Sequence, residues 1–274
     1  MSEQLFQLAF QFLDQEPRAA ARLLEAGDTA NVIPFLSNTP APVVARILRQ
    51  MQTDTAAILL NTANAETAQA WMQYLGTREL SLILRRLDTA QQQDLLNSLT
   101  LKKKAACQLL LSFRDDMVGA IVETDVIVFP QDLSVEESLK RIRQRQFKEG
   151  HQLWVVDNNH QLVGELSLMD LIQSHGDLSL GELQHPCNDT LNGRSLTRYA
   201  LNHPAWLKRD FLPVINRQHE LIGVLWFSQL KRSLSHPEPK QQALSDIQHS
   251  ALDIVHAHGD SMRALMDVLF KTGN

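Results

Sequence analysis

A hydroxyl and a carboxylate stand three residues apart in Gly164-Glu165-Leu166-Ser167-Leu168-Met169-Asp170. At that spacing Ser167 can accept from an early helix amide while Asp170 reaches back to the amide of Ser167, the reciprocal cap of a helix start. A second group, Asp115, Asp116, Glu123 and Asp125, is the best local cluster of carboxylates. Such oxygens could serve a hard divalent cation, which keeps several waters and takes few protein ligands, or they could form a polar loop that ends a helix. His249, His256 and His258 lie near the C-terminal end, the first two on one helical face, without the carboxylate or cysteine that would complete a metal set. No nucleophile stands beside a base, and neither a P-loop nor an HExxH frame occurs, so the chain is expected not to be an enzyme.

The elements that must position these groups follow from composition and period. With 274 residues the chain is long enough for two folded units. Its 44% hydrophobic and 21% charged content is ordinary for a globular protein. A net charge of −5 with both signs interspersed provides no basic face for nucleic acid. Lys102-Lys103-Lys104 reads as a solvated helix turn. Cys107 and Cys187 sit apart, without a CxxC or a cysteine-histidine array, as expected of a protein kept in a reducing cytoplasm. The first residues lack a basic leader and apolar run, and the uncharged stretch Thr29 to Ala45 is broken by Pro34, Pro40 and Pro42. No membrane insertion is therefore expected.

Residues 30 to 112 repeat every twelve positions. Leu36, Leu48, Leu60, Met72, Leu84 and Leu96 form one column; Phe35, Ile47, Leu59, Trp71, Ile83, Leu95 and Cys107 form the next. Met51, Ala63, Leu75, Leu87, Leu99 and Leu111 make a third. Thr53-Asp54, Asn64, Gly76-Thr77, Asp88-Thr89 and Thr100 fall between the columns as turn and cap residues. Each repeat reads as one short helix that cannot bury its apolar face alone, and stacking such helices gives an armadillo-like superhelix. Residues 5 to 26 add an amphipathic start.

Beyond Phe113 the texture turns to apolar runs rich in Val and Ile, and a second duplication appears. Leu153 to Gly164 superimposes on Leu212 to Gly223 at an offset of 59 residues. Each copy reads as strand, helix, strand, strand, helix, the first helix spanning Val135 to Arg145 in one copy and Ser195 to Leu201 in the other. Two such copies should pair about a pseudo-twofold axis and leave ligand clefts between them. After Pro237, residues 241 to 270 resume helical spacing, interrupted at Gly259.

The duplicated unit resembles the CBS domain. The junction Phe113-Arg114-Asp115-Asp116-Met117-Val118-Gly119-Ala120-Ile121-Val122, with the twelve-residue repeat before it, resembles the cytosolic part of MgtE-type magnesium transporters. The fold expected is multidomain α and α/β: an all-α short-helix superhelix over 1–118, CBS domains over 119–175 and 176–235, the second degenerate, and a C-terminal helix over 236–274. The resemblance implies a cytoplasmic, non-enzymatic sensor in which Mg2+ bridges acidic surfaces, without the transmembrane domain of the family. Residues 1–120 carry 12 acidic and 11 basic residues, so the charge this would use is dilute. Nucleotide-binding CBS domains carry G-x-h-[ST]-x-x-D, and Gly164, Ser167 and Asp170 match it, which implies a site for ATP, ADP or AMP. There the carboxylate would accept from the ribose hydroxyls. The second copy places Trp226 and Gln229 at those positions, so Trp226 should fill its cleft. Expected partners are a second copy through the CBS domains and a membrane transporter or other protein.

Overall fold

The twelve-residue period is realised as a train of short helices. Two of them, α1 (Glu3–Gln15) and α2 (Pro17–Ala26), precede α3 (Thr29–Ser37), α4 (Ala41–Leu48), α5 (Thr53–Thr62), α6 (Ala65–Tyr74), α7 (Thr77–Leu84), α8 (Thr89–Asn97) and α9 (Leu101–Leu111). From α3 onward each helix starts twelve residues after the last. The computed structural model describes residues 3–144 and 152–234. It divides into two compact units between Cys107 and Gln108.

Helices shorter than about 12 to 15 residues are marginal in isolation, so tertiary burial must hold those of the first unit. All six residues of the Leu36 to Leu96 column are buried, as are Phe35, Ile47, Leu59, Trp71, Ile83 and Cys107. Met51, Ala63 and Leu75 are buried, whereas Leu87, Leu99 and Leu111 are half-buried, so the core thins along the train. Helices pack on their second neighbours: α2 on α4, α4 on α6, α6 on α8, α3 on α5, and α5 on α7. Two successive sequence repeats thus form one packing unit, and the helices fall into alternating rows.

The cap position also recurs. Asp28 accepts from the Ala30 amide at 3.1 Å, Asn64 from Thr67 at 2.8 Å, and Asp88 from Gln91 at 2.9 Å. Thr53, Thr77 and Thr89, expected among the caps, are instead the first helical residues; Gln52 and Gly76 precede two of them without a side-chain acceptor.

Lys103 departs from the expected solvated turn. Its Nζ donates to the carbonyls of Met72 at 2.6 Å, Gln73 at 3.0 Å and Leu75 at 2.6 Å. The Arg49 guanidinium donates to the Tyr74 carbonyl of the same helix end. The last carbonyls of a helix have no internal partners and carry the negative end of its dipole, so a cation there offsets both deficits. Lys103→Met should lower stability by about 2 kcal/mol, since bonds to a charged donor are worth more than neutral ones. Lys102→Met, at an exposed position, should stay within about 0.5 kcal/mol in the same urea titration.

In the second unit the first copy comprises β1 (Ile127–Pro130), α10 (Val135–Arg143), β2 (Leu153–Val156), β3 (Leu162–Leu166) and α11 (Leu168–Gln173). The short α12 (Leu180–Leu183) and β4 (His185–Pro186) lead into the second. That copy comprises β5 (Leu191–Asn192), α13 (Thr197–Ala200), β6 (Phe211–Ile215), β7 (Leu221–Trp226) and α14 (Phe227–Leu234). In each copy the first strand runs parallel to the second and the second antiparallel to the third. Even the ladder irregularity recurs at equivalent positions, between Val155 and Val156 and between Val214 and Ile215.

Gln161 and Glu220 are equivalent in the duplication, and they face each other in an isolated antiparallel bridge. A residue paired with its own equivalent lies beside the axis that relates the copies, so the expected local twofold passes here. His160 and His219, also equivalent, turn the two hairpins at φ of 60° and 63°. Asp157 and Asn216 stabilise that left-handed backbone by accepting from the amides that follow them.

The segment ahead of each copy completes the opposite one. The Val118 amide donates to Ser195 and that of Gly119 to Gly193, each at 2.8 Å, and Glu123 exchanges two backbone bonds with Val224. Reciprocally, Val135 and Glu136 donate to Leu178 and Gly176, and β4 pairs with β3 of the first copy. Gly119 is required by the fit, because a Cβ there would stand 2.7 Å from the Phe113 ring. These bonds tie residues 116–123 to the second unit, whose boundary lies upstream of residue 118.

Arg145, the expected tail helix with Gly259, and His249, His256 and His258 lie outside the described residues. Among the described residues no helix is long and apolar enough to cross a membrane.

Candidate functional site

Strand β3 ends at Leu166, and Ser167 leaves it in an extended conformation to cap α11. The Ser167 amide and hydroxyl donate to Asp170 Oδ2 at 2.7 and 2.8 Å, and the Asp170 amide donates to Ser167 Oγ at 3.1 Å. His185 Nε2 lies 3.7 Å from the same carboxylate oxygen. The spacing thus produces the reciprocal cap, with Ser167 and His185 both directed at Oδ2 of Asp170. Gly164 admits the crossing strand: a Cβ would lie 2.7 Å from the His185 carbonyl and collide with the Gln184 side chain.

The Ser167 backbone bond, then its hydroxyl and His185, hold the Asp170 carboxyl below its ordinary value of 3.8 against the opposing effect of burial. A carboxyl depressed by folding contributes stability that is complete above 3.8 and lost as pH falls through the depressed value. Asp170→Asn should therefore cost up to about 1 kcal/mol at pH 7, the size of a cap. The difference from the wild type should shrink at about pH 3, as followed by urea unfolding at both pH values.

Cross-strand register puts Trp154, Glu165 and His185 side by side, on the face opposite Leu153, Val155 and Leu166 of the core. Glu165 is buried there and bound by Arg209, which arrives from the loop before β6 in the other copy. Arg209 Nη1 donates to Glu165 Oε2 at 2.8 Å and Nη2 to Oε1, a two-pronged pair. The Glu165 carboxylate raises the affinity of the guanidinium for its proton. Cys187 stands close by; burial, and after it the charge of Glu165, push its thiol to about 11. That thiol is accordingly not a nucleophile. Sequence reasoning missed Glu165, Arg209 and His185. The available signal was an acid inside the apolar strand between Gly164 and Leu166.

At the equivalent positions of the second copy stand Val224 for Glu165, Trp226 for Ser167 and Gln229 for Asp170. Phe211 and Trp226 pack with ring centroids 5.0 Å apart, and Trp154 meets Phe211 edge-on at 6.3 Å. Together with Glu123 and Gln152 they line the space that remains between the two copies. Aromatic side chains occupy this cleft, whereas the other is ionic.

The junction carboxylates do not converge. Asp116 is engaged through both oxygens by Arg114, whose hydrogen bonds draw the carboxyl below its usual value. Glu123 lines the aromatic cleft and accepts from the Asp125 amide at 3.3 Å. Among the described residues no three or more His, Cys, Asp or Glu side chains are grouped to hold a metal ion. Asp115, Asp116, Glu123 and Asp125 therefore do not form a fitted Mg2+ centre by themselves.

The profile of the MgtE intracellular N domain matches residues 15–116, and that of the CBS domain matches residues 118–176. The chain is 23% identical over 200 residues to the magnesium transporter MgtE of Bacillus subtilis, covering 70% of this chain and 43% of the transporter. It is 24% identical over 150 residues to the magnesium transporter MgtE of Thermus thermophilus, covering 52% of this chain and 32% of the transporter. The match spans less than half the length of either transporter. The crystal structure of the cytosolic domain of the Mg2+ channel MgtE in complex with ATP superimposes with a TM-score of 0.71 at 21% identity, over 82% of this chain and 93% of that one. At that identity the shared property is the fold.

Proposed function

We propose that the chain is a non-enzymatic regulatory module, because its two units resemble in order and fold the cytosolic part of MgtE-type magnesium transporters. It works in the cytoplasm, responds to Mg2+ and passes its state to a protein partner. The observation that supports this reading is the fold likeness over most of the chain. We assign 119–175 and 176–235 to the CBS domains and 236–274 to the tail, with the superhelix ending upstream of residue 118, where the second unit begins. Limited proteolysis and small-angle scattering with and without millimolar Mg2+ test the response: protection and compaction support it, and unchanged profiles reject it.

The partners proposed are a second copy of the chain and a transporter or other protein. Leu168, Met169 and Ile172 are 46%, 56% and 61% exposed on α11, and such an apolar stripe on a CBS domain supports pairing through this face. Light scattering on Ile172→Asp should then report a monomer where the wild type reports a dimer.

A second reading is favoured by the ionic cleft. Gly164, Ser167 and Asp170 fit the adenosine-nucleotide motif, and the Arg209 guanidinium on the same side of the sheet suits a phosphate. Calorimetric titration with ATP, ADP and AMP, repeated on Asp170→Ala, tests it. Heat lost in the variant supports a nucleotide site; no heat from any nucleotide removes this reading.

A further inference from the structure

We propose that the Glu165–Arg209 pair is a latch on the ionic cleft, in which the Glu165 carboxylate holds the guanidinium that a phosphate-bearing ligand must take over. The inference rests on the nucleotide reading and concerns how that site is regulated.

Three observations place the latch. Glu165 stands two residues before Ser167 on β3, its cross-strand neighbour is His185, and His185 in turn lies 3.7 Å from Asp170. The pair therefore shares one face with the groups of the candidate site. Its two halves also come from different copies of the duplication, Glu165 from β3 and Arg209 from the approach to β6, so it clamps one copy to the other. Finally, the equivalent of Glu165 in the second copy is Val224, so only one of the two clefts is latched in this way.

The chemistry of exchange follows from the geometry. A guanidinium presents parallel N–H groups that fit a carboxylate and a phosphate in the same two-pronged manner. Glu165 occupies that fork through both oxygens. With its side chain 30% exposed, Arg209 is reachable from the cleft, whereas Glu165 at 9% is held beneath it. Among the ionisable groups near the pair are Cys187, whose thiol remains protonated, Asp189, and His185 beside Asp170. None is a second cation with the fork of arginine, so Arg209 is the group for which carboxylate and phosphate compete. A ligand that wins Arg209 also unties the two copies. Binding is weakened by the fraction of molecules in which the latch is closed.

The test compares ATP, AMP and adenosine on the full chain, wild type against Glu165→Gln, by calorimetry. The glutamine keeps the shape and removes the charge that holds Arg209. Glu165→Gln should bind ATP and AMP roughly tenfold more tightly while its affinity for adenosine stays unchanged. Equal affinities of wild type and variant for ATP, with binding lost in Asp170→Ala, overturn the latch and leave the nucleotide site standing. Tightening that extends to adenosine also overturns it, since it would report a loosened cleft. No binding of any ligand to either protein overturns both. Arg209→Gln supplies an independent check if Glu165→Gln does not fold: ATP affinity should fall toward that of adenosine, and retained ATP affinity sinks the proposal.

Discussion

Trp71→Ala is expected to be the costliest single change in the helical unit, lowering its stability by about 3 to 5 kcal/mol. Trp71 is 2% exposed and lies in the same column as Ile47, Leu59 and Ile83, all of them buried. It sits on α6, which packs on α4 and on α8, so its removal opens space in a row of helices that has neighbours on both sides. Interiors are close-packed, and helices of two to three turns anchored by few side chains cannot collapse onto so large a void without losing register with the next repeat. Urea unfolding followed by far-ultraviolet circular dichroism measures the effect. The control is Ile58→Ala, an apolar residue that is 53% exposed on the preceding helix and should shift stability by no more than about 0.5 kcal/mol. Similar small losses in both variants would mean that the twelve-residue columns do not carry the packing of this unit.

The columns were legible because a repeat that buries one face must place its apolar residues at a fixed spacing, and each helix start from Thr29 to Leu101 obeys that spacing. The pairing of second-neighbour helices was not legible, because periodicity tells which side chains are buried and not against which partner. Lys103 illustrates the same limit: a lysine in a basic run reads as solvated, yet the carbonyls it binds at Met72, Gln73 and Leu75 belong to the end of a helix well upstream in the train. In the second unit the duplication, the strand order and the filling of one cleft by Trp226 could all be read from aligned residues. The crossing of residues 116–123 onto the second copy could not, because backbone pairing of Gly119 with Gly193 carries no side-chain signature. The surroundings of the junction carboxylates were not legible either: Arg114 stands two residues before Asp116 and takes both of its oxygens, a contact that counting acids alone does not show.

Arg209→Ala should destabilise the CBS pair by about 3 kcal/mol, because it leaves the Glu165 carboxylate in a buried position without its countercharge. The lower end of the range for breaking a buried pair applies, since Arg209 is 30% exposed and water can reach part of the vacated space. Replacing both partners by apolar residues of similar size is a different perturbation. Glu165→Leu combined with Arg209→Met removes the charge and its desolvation cost together, and should restore most of the stability lost in the single variant. Thermal and urea unfolding of the two single variants and the double variant form a cycle that isolates the coupling. A cost below about 1 kcal/mol for Arg209→Ala would class the pair with surface ion pairs and would remove the physical basis for a clamp between the copies. A stable double variant would carry a further consequence. If packing alone can hold the two copies together, the carboxylate and guanidinium are not required by the fold.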